Sequence, residues 1–141
     1  MSRTDPSTST ASARTAPASG GSGLVRAFQV LAGLAVVNVL VQFVTAGQLF
    51  PDGGPEEAHA AGAIVLHVLS GLAAVVAVLL WRRRRLSVGA MVLSVVVFGY
   101  TFLQAAWGGR SSLWIHVPGA MVLTVGVVLV LVTSLRATTR R

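Results

Sequence analysis

Four apolar stretches, residues 24–50, 60–81, 86–107 and 113–135, leave this chain of 141 residues little else from which to build a fold. Each reaches the roughly 20 residues that cross about 30 Å of hydrocarbon at about 1.5 Å per residue. A mean hydropathy of +0.77 and an apolar content of 54% place the chain with integral membrane proteins rather than with soluble domains. Two breaks, Pro51-Asp52-Gly53-Gly54-Pro55 and Gly108-Gly109-Arg110-Ser111-Ser112, join the spans in pairs. Short connections favour neighbours lying side by side, so the expected fold is all-α, an up-down-up-down four-helix bundle over residues 24–135. Gly62, Gly71, Gly89, Gly99, Gly119 and Gly126 fall on the spans, where a missing side chain lets helix backbones approach.

The net charge of +7 and the pI near 11.9 would point to nucleic acid in a soluble protein. Here topology accounts for them, and no nucleic-acid partner is needed. Arg3, Arg14 and Arg26 precede the first span, Arg82, Arg83, Arg84 and Arg85 join the second to the third, and Arg136, Arg140 and Arg141 follow the fourth. Only Arg110 falls on the other side. By the positive-inside rule both termini and the arginine loop are expected in the cytoplasm, with Asp52, Glu56 and Glu57 outside, in a multi-pass protein of the cell membrane. The arginine loop can also attract anionic lipid, at about 1 kcal/mol per arginine near the surface.

Residues 1–23 are mostly Ser, Thr, Ala, Pro and Gly, too polar to offset chain entropy by burial, and are expected to form a disordered cytoplasmic tail. The first apolar stretch follows a long polar segment and is about twice the length of a signal-peptide core, so it reads as a span. Residues 136–141 read as a basic cytoplasmic tail. There is no cysteine, which excludes disulfides, thiolate metal sites and a thiol nucleophile and leaves His, Asp, Glu or Met for metal chemistry.

The halves of the chain resemble one another. Gln42-Phe43-Val44-Thr45-Ala46-Gly47 can be laid over Thr101-Phe102-Leu103-Gln104-Ala105-Ala106, and His67-Val68-Leu69-Ser70-Gly71-Leu72 over His116-Val117-Pro118-Gly119-Ala120-Met121. The expectation is a two-hairpin internal repeat about an axis along the membrane normal.

His67 and His116 carry the functional signal, since an ionisable side chain at membrane depth is rare and costly. Counted from the ends of the spans they lie roughly 10 Å and 6 Å below the outer surface, with Gln42, Tyr100 and Gln104 in the same half. On diagonal helices the two histidines would face each other. Ser70 and Gly71 below one, and Gly119 and Ala120 below the other, share the histidine's helix face and would clear a slot. Bis-imidazole ligation of haem b uses both histidines and the slot, with Gln42, Tyr100 or Gln104 orienting the imidazoles and Arg110 meeting the propionates. The alternative is that each histidine simply hydrogen-bonds a neighbouring helix, at about 0.6 kcal/mol. Pro118 reads equally as an ordinary kink. His59, beside Glu56 and Glu57, reads as a residue of a solvated loop, with a divalent-metal entry site as the alternative.

Gln42-Phe43-x-x-Ala46-Gly47, His67-x-x-x-Gly71 and a second histidine after the third loop resemble an uncharacterised family of small four-span bacterial membrane proteins, over residues 27–135. That family is similar in outline to four-helix, bis-histidine b-type cytochromes. Its last span has Leu-His followed shortly by Asn, where this chain has Ile115-His116-Val117-Pro118-Gly119. The resemblance implies the four-helix fold and carries no established activity.

Two functions follow as expectations. One is a haem-b electron carrier, cytochrome-like, exchanging electrons with a quinone or a redox partner protein. The other is a non-catalytic accessory subunit or assembly factor in the lipid bilayer, its histidines structural. Proton-coupled transport is the weakest reading, because the spans hold no carboxylate. No hydrolase triad, phosphate-binding glycine loop or carboxylate pair lies in the spans, so enzymatic acyl, phosphoryl or glycosyl transfer has no support.

Overall fold

The computed structural model describes residues 20–50, 54 and 56–137. Four helices account for nearly all of them: α1 (Gly20–Gln48), α2 (Glu56–Arg82), α3 (Val88–Ala106) and α4 (Leu113–Arg136), with a single 3₁₀ turn, Arg110–Ser112, leading into α4. All four are long and apolar enough to cross a membrane. A helix satisfies its backbone internally, as a segment in hydrocarbon must. The expected tail is cut short by α1, which starts at Gly20; residues 1–19 and 138–141 lie outside the described residues.

Local signals set the other ends. In α2 the acids Glu56 and Glu57 occupy the first turn, where the positive end of the helix dipole favours carboxylates. That turn adds residues 56–59 to a helix expected to begin at residue 60, and it moves His59 out of the loop. Ser87 caps α3, its hydroxyl accepting from the Ala90 N–H at 3.3 Å. At the end of α2 the Arg85 N–H donates to the Leu80 carbonyl at 2.9 Å and the Arg84 N–H to that of Trp81 at 2.8 Å. This paired closure requires a left-handed residue, and Arg84 takes it at φ 57°. A side chain there costs about 1–2 kcal/mol that glycine avoids. Arg84→Gly is therefore expected to raise unfolding stability by about 1 kcal/mol, read as a shift of the unfolding midpoint in detergent; an unchanged midpoint would refute this account of the turn.

Each helix packs mainly against two neighbours: α1 on α2 and α4, and α3 on the same two. Residue pairings rise along one helix as they fall along the next. Thr45 meets His59 and Gln42 meets Gly62; His67 meets Phe102 and Gly71 meets Phe98; Gln104 meets Gly119 and Val97 meets Gly126. Neighbouring helices are thus antiparallel, with α2 and α4 on a diagonal.

The middle of the bundle is built from small side chains. Ala32, Ala35, Ala73 and Ala77 are buried there with Ser70 and Ser94, each serine hydroxyl donating to a carbonyl of its own helix, Leu66 at 2.6 Å and Ala90 at 2.9 Å. Close approach and van der Waals contact hold membrane helices together where lipid is as apolar as the core. The void left at the centre is about 10 Å³, enough for at most about one water. Larger residues, Phe28 and Leu80, fill the end that carries the arginines.

Candidate functional site

His59, His67, His116, Gln42, Thr45, Tyr100 and Gln104 lie towards the opposite end, where the α1–α2 and α3–α4 connections are, whereas Gln29 donates to the Ser134 carbonyl at the arginine end. His67 is half-buried, and its Nδ1 lies 2.6 Å from the Ala63 carbonyl of its own helix. Its ring stands edge-on to Phe102 at 4.4 Å, a residue 52% exposed on the flank of the bundle. His67 is therefore held in the α2–α3 groove. The half-buried His116 reaches across to α3, its Nδ1 3.0 Å from the Gln104 carbonyl. The ring beside it belongs to His59, with centres 6.4 Å apart and planes at 72°.

His59 is the residue that sequence reasoning misplaced. It is half-buried on the first turn of α2, with Nδ1 3.1 Å from the Thr45 hydroxyl. That hydroxyl has one proton and lies 3.1 Å from the Gln42 carbonyl and 3.2 Å from that of Val41. A hydroxyl both donates and accepts, so either it or the imidazole supplies the proton of the contact with His59. Carbonyls only accept, which puts the proton on Nδ1 of His67 and His116. The Nδ1–H of His67 and that of His116 are thus directed at carbonyls, and the Nδ1 of His59 at the Thr45 hydroxyl.

The remaining candidate residues cover the glycines. A Cβ at Gly71 would lie 3.0 Å from the Phe98 ring. At Gly119 it would meet the Gln104 amide and the Tyr100 hydroxyl, the latter at 2.9 Å, and at Gly62 the Gln42 amide. The slots expected below His67 and His116 are filled by neighbouring helices. A planar group beneath either histidine would have to displace Phe98 at Gly71, or Gln104 and Tyr100 at Gly119. Ala120 is half-buried, and its carbonyl accepts from the Thr124 hydroxyl at 2.7 Å. Tyr100 rests edge-on to Trp107 at 6.5 Å, its hydroxyl 3.5 Å from the Gln104 Nε2. Gln104, 5% exposed, leaves Oε1 with no partner. Arg110 lies at the rim, 3.9 Å from Glu56, both side chains more than three-quarters exposed. Such a pair contributes little to stability.

A recurrence in the sequence marks the pairing of His59 with His116. His59-Ala60-Ala61-Gly62-Ala63 and His116-Val117-Pro118-Gly119-Ala120 share His-x-x-Gly-Ala. Each begins three residues inside its helix. In each, the imidazole Nδ1 bonds to the preceding helix and the glycine is covered by a glutamine of that helix. The match is closer than that between the segments starting at His67 and His116, and it was hidden by reading His59 as loop.

The fold and the site together define a four-helix bundle of membrane-spanning type with a histidine cluster at one end. No protein family, curated protein or solved structure matches the chain. Among the described residues no three His, Asp or Glu side chains gather as a metal cage.

Proposed function

We propose that this chain is a non-enzymatic, multi-pass protein of the cell membrane that binds a transition metal through imidazoles in the outer half of the bilayer. The observation that carries the reading is that the Nδ1 of each of the three histidines has a hydrogen-bond partner in the protein. Metal-bound histidines are oriented in this way, the second nitrogen held for the metal. Haem iron, with electrons passing to a quinone or a partner protein, is the form that the resemblance to b-type cytochromes favours. The covered glycines favour a smaller guest, so no electron-transfer step is derived through haem. The structural alternative has its own support at His67, where a bond within one helix and an aromatic contact account for the side chain.

The proposed orientation is up-down-up-down with both termini in the cytoplasm, resting on the arginines of one end and on Glu56 and Glu57 at the other. The His-x-x-Gly-Ala recurrence supports duplication of a hairpin. A cysteine placed at Arg84 is expected to resist an impermeant thiol reagent in intact cells, and one at Gly54 to react. Reversed labelling would invert the topology and put the site on the cytoplasmic face.

Full-length protein purified in detergent from cells supplied with haem and trace metals tests the reading itself. Elemental analysis and an absorption spectrum are expected to show about one transition metal per chain, as ion or as haem. Well-folded protein with no metal and no Soret band would leave the structural reading in its place.

A further inference from the structure

Resting on that reading, we infer that the ligand pair is His59 and His116, and that it takes a bare, imidazole-seeking ion, copper or zinc, with its remaining positions open. The ring centres stand 6.4 Å apart on the two diagonal helices. A metal sits about 2.0–2.1 Å from an imidazole nitrogen, which puts it roughly 3.2 Å from the ring centre; two such rings span about 6.4 Å when the nitrogens are nearly opposite each other, and less when the angle closes. The pair thus has the centre spacing of a nearly linear bridge, and the bent geometry of copper(II) or zinc requires the rings to approach by about 1 Å. Each ring has a hydrogen-bond partner on the preceding helix, the Thr45 hydroxyl for His59 and the Gln104 carbonyl for His116. This arrangement raises nitrogen basicity and fixes ring direction. Copper and zinc are the ions that imidazole suits best late in the first transition row. His67 stands apart, its ring occupied by Phe102. Glu56 is one helical turn outward from His59, on the same face, its charge shared with Arg110 at 3.9 Å. Two protein ligands leave the remaining positions to water or to an external ligand, where open zinc sites with three protein ligands leave one.

The test is a titration of chelator-washed, full-length protein in detergent with copper(II) and zinc(II) separately, and with haem as a third arm. His59→Ala and His116→Ala are each expected to weaken ion binding at least about 100-fold, and His67→Ala by less than about 3-fold. Thr45→Val, which leaves every ligand in place but removes the hydrogen-bond partner of the His59 Nδ1, is expected to cost about 10-fold to 100-fold. Should either alanine variant fail to elute as a folded species, His59→Gln and His116→Gln replace them. Loss of binding in His67→Ala with retention in His59→Ala overturns the pair while leaving a metal-binding protein. Haem uptake without ion binding overturns it as well. A wild-type chain that binds none of the three overturns both this inference and the function on which it rests.

Discussion

Phe28→Ala is expected to shift the unfolding midpoint of the bundle further than any other single truncation of an apolar side chain in α1. Phe28 is 0% exposed, at the end of the bundle remote from the histidines. In a soluble core such a truncation costs about 3–5 kcal/mol, part of it transfer from water and part of it the cavity left behind. Between lipid and protein the transfer part largely vanishes, because both environments are apolar. What remains is lost dispersion contact around the vacated ring, so a cost of about 2–3 kcal/mol is expected. Phe43, 44% exposed on the same helix, supplies the control. Unfolding in mixed micelles of increasing denaturing-detergent fraction measures both, and equal midpoints for Phe28→Ala and Phe43→Ala would contradict the packing described above.

Gly126→Leu is expected to be the most disruptive enlargement on α4 below the histidine end. A Cβ there would come within 2.8 Å of a Val97 methyl on α3. Valine is stiff about its first side-chain torsion and cannot swing away as a long side chain would. Forcing the helices apart costs about 1–3 kcal/mol. Val97→Ala in the same chain should recover part of the loss, giving a coupling of at least about 1 kcal/mol in a double-mutant cycle. Gly99→Leu on α3, where a Cβ meets nothing within 4 Å, should be nearly silent. Strict additivity of Gly126→Leu with Val97→Ala would show that the α3–α4 contact is not made at these residues.

These contrasts explain what could be read from the chain beforehand. Length and composition suffice for four helices, because a run of apolar residues long enough to cross hydrocarbon has few other ways to satisfy its backbone. The direction in which each side chain points is harder. A helix in water announces its buried face by its polar residues; here both the lipid side and the core side are apolar, so phase is nearly silent. Val68 and Leu69 look alike in sequence, yet one is exposed and the other packs on the core. The expected slots failed for this reason. Small residues at Gly71 and Gly119 do mark close approach, but what approaches comes from α3: Phe98 to one, Gln104 and Tyr100 to the other. His59 was lost differently, because Pro51, Gly53, Gly54 and Pro55 outweighed the two acids that open α2. The rule that acids belong in a first helical turn would have recovered it.

The alanine and serine middle of the bundle bears on traffic rather than stability. The void at its centre has room for at most about one water, and the Ser70 and Ser94 hydroxyls beside it are bonded within their own helices. On the proposed reading, a ligand of His59 and His116 would enter and leave by the end of the bundle at which they lie, and its presence would pass to the arginine end only through a shift of the helices.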